Sequence, residues 1–146
     1  MHRNAQTLHP VARITYFLAN LQPESLEQLG EHYSERVQFD DPINEGHGLD
    51  DLRVIFEDLF KQLKNISLDI TDSRGDEQAA FLKWVMRYRF RGKARELPGV
   101  SYFTFNKEGK VTSQRDYWDA AEGVYAEIPG IGLTLRGIRK MVQVRP

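Results

Sequence analysis

The feature that most constrains this chain is a change of hydrophobic period near residue 65. Before it, apolar residues recur every three or four positions, the spacing that gives a helix one buried face. After it they recur every second position, the spacing of a half-buried strand. In 9–21 the helical repeat is Val11, Ile14, Leu18 and Leu21, with Phe17 on its flank. Gln22-Pro23 stops that segment, and Pro23 suits the first turn of a second helix carrying Leu26, Leu29 and Tyr33. Arg36–Asp40 reads as a short strand ending at Asp41-Pro42, with a loop over Ile43–Gly48. A third helix carries Leu49, Leu52, Phe56, Leu59 and Leu63 on one stripe, and Asp50 and Asp51 sit in its first turn, where the helix dipole favours acids.

Beyond the switch, Ile66, Leu68 and Ile70 alternate with polar residues up to a turn at Ser73–Asp76. Residues 80–91 place Leu82, Trp84, Met86, Tyr88 and Phe90 on one face and Lys83, Val85, Arg87, Arg89 and Arg91 on the other. Residues 100–106 and 111–118 read as a hairpin around Asn106-Lys107-Glu108-Gly109. Helices followed by strands, without alternation, predict an α+β fold: a curved antiparallel sheet with the N-terminal helices on one face. At 146 residues the chain has room for one domain, 1–146, in which 119–146 forms a C-terminal helical tail. In that tail Asp119–Ile128 reads as helical, Pro129-Gly130 as a break, and 131–143 as a second helix. Its apolar stripe (Ile131, Leu135, Ile138, Val142) is expected to dock on the domain or on a second subunit.

Composition enters mainly by exclusion. The chain has no Cys, so disulfides, thiolate metal sites and cysteine nucleophiles are out. Twenty Lys+Arg against 21 Asp+Glu leave a net charge of −1, and no global field favours nucleic acid. The row Arg87, Arg89, Arg91, with Arg115 and Tyr117, is expected to be a solvated or dimer-facing stripe on the outer sheet face. His2, His9 and His32 lack ligand spacing, so neither a metal nor a cofactor is expected. No apolar run approaches the ~20 residues of a membrane span and no secretory h-region opens the chain; the expected location is cytoplasmic, away from membranes.

Three strings carry a family resemblance: FDDPI (39–43), GHGLDDLRVIFEDL (46–59) and YFTFNKEGKVTSQRDYW (102–118). Their order and spacing from about Val11 to Trp118 resemble the nuclear transport factor 2-like superfamily, in its SnoaL-like and ketosteroid isomerase-like branches. The resemblance implies a cone in which the helices and the concave sheet face enclose an apolar pocket. It places the isomerase general base, the Asp before Pro, on Asp41. The isomerase oxyanion donors, a Tyr and a protonated Asp, fall on Phe17 and Ser101. Phe17 donates nothing and Ser101 is a weaker donor than a neutral acid, so steroid isomerisation is not expected. The inward face of the last strand would carry Thr112, Gln114, Asp116 and Trp118, with Asp116 where an apolar residue is usual.

The resemblance thus points to Asp41 and Asp116 as catalytic carboxylates, one pushed towards the acid form by the other. Phe17, Tyr33, Trp84, Met86, Ser101, Phe103, Gln114 and Trp118 would form the ligand pocket, with His47 gating its mouth. The bland alternatives are a turn cap for Asp41 and a salt bridge with an arginine for Asp116. The functional expectation is a homodimeric pocket protein binding a small, mostly apolar molecule, an acid/base enzyme of cyclase, dehydratase, isomerase or hydrolase type. The alternative is a non-catalytic ligand-binding or protein-interaction module of the same fold.

Overall fold

In the computed structural model, which describes residues 9–124 and 131–144, the early helical period becomes α1 (Pro10–Ala19). Pro10 fills a first-turn position that needs no N–H, and the His9 side chain accepts from Val11 N at 3.3 Å. The second predicted helix is realised differently. Pro23–Gln28 is a 3-10 turn, α2 (Leu29–His32) lasts four residues, and Tyr33 opens β1 (Tyr33–Asp40) instead of extending the helix. Tyr33 is fully buried and pairs with Val111, so a tertiary contact overrides the local pattern. The predicted loop 43–48 contains a short strand, β2 (Glu45–His47), antiparallel to the end of β1. It leads into α3 (Gly48–Gln62), whose buried Leu52 and Phe56 come from the predicted stripe.

The period-two region gives β3 (Lys64–Gly75), β4 (Ala79–Phe90), β5 (Lys93–Phe105) and β6 (Val111–Trp118). β5 begins well before the expected residue 100, because Pro98 and Gly99 lie within it, paired with Val85 and Trp84 of β4. Gly99 permits a close approach: a Cβ there would lie 2.3 Å from Cη2 of Trp84, whose indole crosses β5 at that point. The six strands form one curved, unclosed sheet in the order β2-β1-β6-β5-β4-β3. Neighbouring strands are antiparallel except β1 and β6, which run parallel. α1 packs against β3 and α3 against β1, and the core between helices and sheet is centred on Leu29, Val37, Leu52, Leu82 and Phe103.

In the tail, Asp119 caps α4 (Ala120–Gly123) by accepting from the N–H groups of Ala121 and Glu122. The expected continuation to Ile128 and the break at Pro129-Gly130 fall largely on 125–130, outside the described residues. α5 (Ile131–Val142) is tied back through Arg139, whose Nη1 donates to Glu122 at 3.2 Å. Leu135 is half-buried, but Ile138 and Val142 of the predicted stripe are 52% and 73% exposed, so this chain alone covers little of it. No helix among the described residues is long and apolar enough to cross a membrane.

Candidate functional site

The curvature of the sheet holds its inner face away from α1 and α3 and leaves a cavity of about 340 Å³ between them. Leu18 of α1 and Phe56 and Leu59 of α3 form one wall; Trp84, Met86 and Trp118 form the other. Alternation along the strands dictates the second wall: Trp84 and Met86 share a face of β4, and Trp118 shares a face of β6 with Gln114 and Asp116. Gly123 and Val124, which follow β6, also border the cavity. Gly123 is packed so closely on Leu97 and Trp118 that an added Cβ would stand 3.0 Å from Leu97 Cδ1 and 3.2 Å from Trp118 Cζ3. Exposed Ile43, Asp58, Gln62 and Arg91 line its rim.

One carboxyl borders the deep part of this apolar space. Strand register puts Ser101 opposite Asp116, and the Ser101 Oγ donates to Asp116 Oδ1 at 2.5 Å. Gln114, two residues back on the same face, donates from Nε2 to the same oxygen at 3.0 Å. Each of these donors is backed by another. Trp84 Nε1 donates to Ser101 Oγ at 2.9 Å, and Tyr33 Oη donates to Gln114 Oε1 at 2.6 Å. An indole N–H can only donate. Ser101 therefore uses a lone pair for Trp84 and turns its own hydrogen onto Asp116. Gln114, with its oxygen taken by Tyr33, must likewise present its NH₂.

Among the described residues, every protein bond to the Asp116 carboxyl lands on Oδ1. Oδ2 has no protein partner among the described residues, and Oδ1 accepts from two donors, so a proton on this cavity-lining carboxyl resides on Oδ2. Burial pushes the Asp116 pKa up to about 6, against the two hydrogen bonds that pull it down and with the Asp41 charge adding to the rise. The residue is half-buried as a whole, but its carboxyl lies deep, which is why burial dominates. Tyr33 is raised well above the usual phenol value, first by burial and then by the Asp116 charge, so its hydroxyl keeps its hydrogen for Gln114. No arginine pairs with Asp116 among the described residues.

Of the residues singled out in the sequence, Asp41, Trp84, Met86, Ser101, Gln114, Asp116 and Trp118 line the cavity. Asp41 does so as a turn cap: Oδ1 accepts from Ile43 N at 2.8 Å and Asn44 N at 2.6 Å, and Oδ2 accepts from Asn44 Nδ2 at 3.1 Å. Phe17, Tyr33 and Phe103 are buried behind the wall and do not border the space; Phe17 stacks on His32 with ring centres 4.3 Å apart. His47 lies outside the lining too, an exposed side chain whose Nε2 is 3.2 Å from Glu45 Oε1. The gating expectation thus has no geometric counterpart. Sequence reasoning missed the helical wall, Leu18, Phe56 and Leu59, although their spacing was visible. It also set Arg91 on the outer sheet face, whereas β4 ends at Phe90 and Arg91, in the turn that follows with φ 50°, lies at the cavity rim. Among the described residues, no group of three or more His, Asp or Glu is placed to hold a metal.

This geometry has many relatives. An NTF2-like protein of unknown function from Burkholderia pseudomallei superimposes with a TM-score of 0.71 at 14% identity, over 80% of this chain and 95% of that one. A candidate SnoaL-like polyketide cyclase from Jannaschia gives 0.69 at 14% identity, over 82% and 94%. An LEH-like epoxide hydrolase from M. tuberculosis gives 0.65 at 17% identity, over 92% and 95%. At such identities these likenesses speak for the fold. No curated protein matches the chain in sequence. The SnoaL-like domain family matches residues 14–114, from the buried face of α1 to the Gln114 that orients Asp116. The chain belongs to the SnoaL-like family, within the nuclear transport factor 2 and ketosteroid isomerase-like fold.

Proposed function

We propose that this protein is an enzyme that binds a small, mostly apolar molecule and moves a proton between it and Asp116. The observation that carries the reading is a cavity-lining carboxyl with a pKa of about 6, whose Oδ2 has no partner among the described residues. Such a group is divided between acid and base near neutral pH, which is where general acid/base catalysis is most effective. Ser101 and Gln114 hold Oδ1, so the carboxyl does not rotate when a ligand arrives. Trp84 and Tyr33 keep those donors pointed the right way. Asp41 contributes through its charge, since both its oxygens are engaged by the 41–44 turn. In this it departs from the two-carboxylate pair that the sequence suggests, and Asp116 carries the transfer alone.

The reaction types consistent with the site are isomerisation, cyclisation, dehydration and hydrolysis, all of which turn on one well-placed proton. The test is a panel of small apolar epoxides, enones and diketones incubated in deuterated water. Products are followed by mass spectrometry, and binding by fluorescence of Trp84 and Trp118. Conversion or deuterium incorporation that falls at least 100-fold in Asp116→Asn is the expected result, the usual scale for losing an acid/base group. Conversion unaffected by that substitution would overturn the role of Asp116. Tight binding with no conversion across the panel would favour a non-catalytic ligand carrier.

A further inference from the structure

The charges around the cavity are unequal, and they distinguish between ligand classes. At the rim, Asp58 accepts from Gln62 at 2.8 Å and the Arg91 guanidinium lies over the Phe90 ring, 5.1 Å from its centre. Two further carboxylates line the cavity, Asp41, held by its turn, and the deeper Asp116, whose Oδ2 has no partner among the described residues. Three of the neutral donors around Asp116 are committed. Ser101 gives its hydrogen to Asp116, Trp84 gives its own to Ser101, and Gln114 turns its NH₂ onto Asp116. A ligand that is anionic, or becomes so in the reaction, would thus meet the open carboxylate of Asp116. A positive charge finds the reverse. Around it stand the rings of Phe39, Phe56, Trp84, Tyr88 and Trp118, and ring faces attract cations, more strongly in a dry site.

The carboxylate itself also favours this match. Above its pKa Asp116 is a desolvated charge without a counter-ion among the described residues, satisfied on one oxygen only. A charge held this way is costly unless paired, and an N–H donor from a cation is the strongest partner it can take. We propose that the cavity selects an apolar molecule carrying one positive charge, an alkyl or aralkyl ammonium ion, with its N–H bonded to Asp116 Oδ2 and its apolar body against the aromatic wall. This names the ligand class for the cavity proposed above and rests on that cavity being a ligand site. It also orders the candidate reactions: those that build positive charge on the substrate when it takes the proton are favoured over those that pass through an enolate.

Three probes with one skeleton test it: 4-phenylbutylamine, 4-phenylbutanol and 4-phenylbutyrate, titrated at pH 7.5 by calorimetry and tryptophan fluorescence. The amine is expected to bind at least ten-fold more tightly than the alcohol, and the carboxylate more weakly than either. Asp116→Asn, which keeps the shape of the side chain, is expected to bring the amine down to the affinity of the alcohol in the same variant. Trp118→Leu is expected to cost the amine more than the alcohol. If amine and alcohol bind equally in the wild type, the charge preference is wrong while the cavity remains a ligand site. If the butyrate binds most tightly and Arg91→Gln abolishes it, the rim arginine sets the preference and the proposal is overturned. If none of the three binds, the cavity reading fails and the ligand class fails with it.

Discussion

Replacing Asp116 by Asn should make this protein more stable, and only above a certain pH. The folded carboxyl has a pKa of about 6 against an ordinary value of 3.8, raised chiefly by burial. Between those values the folded chain holds a proton that the unfolded chain has released, so stability falls as pH rises through that window. At about 1.36 kcal/mol per pKa unit, the difference amounts to about 3 kcal/mol once both states are ionised. Asn at position 116 keeps an oxygen for Ser101 and Gln114 but never ionises. Urea denaturation of wild type and Asp116→Asn from pH 4.5 to 8 reads the effect directly. The variant should match the wild type to within about 1 kcal/mol near pH 4.5 and exceed it by about 3 kcal/mol at pH 8. Other acidic groups contribute equally to both proteins and cancel in the difference. A stability difference that does not change with pH would refute the claim that Asp116 is a desolvated, titrating group.

Tyr33→Phe removes the donor behind Gln114 from a fully buried site and should cost about 1–3 kcal/mol. Because the Gln114 amide is then free to turn its oxygen towards Asp116, the pH midpoint of the stability difference should rise as well; an unchanged midpoint would show that Tyr33 does not orient the amide. Gly99→Ala puts a methyl 2.3 Å from the Trp84 ring and should cost about 1–3 kcal/mol by thermal denaturation, whereas a negligible change would mean the indole moves aside freely. The outer sheet face, with Phe81 and Tyr117 each 53% exposed and Phe81 4.7 Å from Tyr102, predicts a homodimer, and light scattering at micromolar concentration giving the mass of one chain would contradict it. No double-bond migration should be measurable with a β,γ-unsaturated ketosteroid, since Phe17 has no hydrogen to donate and Ser101 has turned its own onto Asp116; efficient turnover would refute the reading of those two positions.

Period and punctuation alone made most of this fold legible. Leu82, Trp84 and Tyr88 do face inward together, and the Asn106–Gly109 turn does join β5 to β6. The failures share a cause: a local signal overruled by a distant partner. Tyr33 fits a helical stripe by spacing, but its hydroxyl is held by Gln114, 81 positions away, and the chain straightens into β1 to reach it. Pro98-Gly99 reads as a breaker, yet Gly99 gives the Trp84 indole room to cross the sheet, so the strand runs through. For the site, strict alternation sufficed to set Asp116 beside Gln114 and Trp118. It could not reveal that Ser101 stands opposite Asp116, which depends on register, nor that all the bonds meet on Oδ1.

The substitutions at the isomerase-like positions make sense together. In a pocket of this shape, donors aimed at a ligand oxygen favour reactions that pass through an anion, and they would have to reach the cavity with a hydrogen unclaimed. Here the Trp84 indole and the Tyr33 phenol are turned onto Ser101 and Gln114, and through them onto a carboxyl. Restoring a donor at one position, by Phe17→Tyr for instance, would not restore an oxyanion site, because Phe17 stacks on His32 behind the wall and Asp116 would still oppose the developing charge. On the proposed reading, the buried carboxyl and the missing donors thus act together: both disfavour an anion in the cavity and both favour a cation.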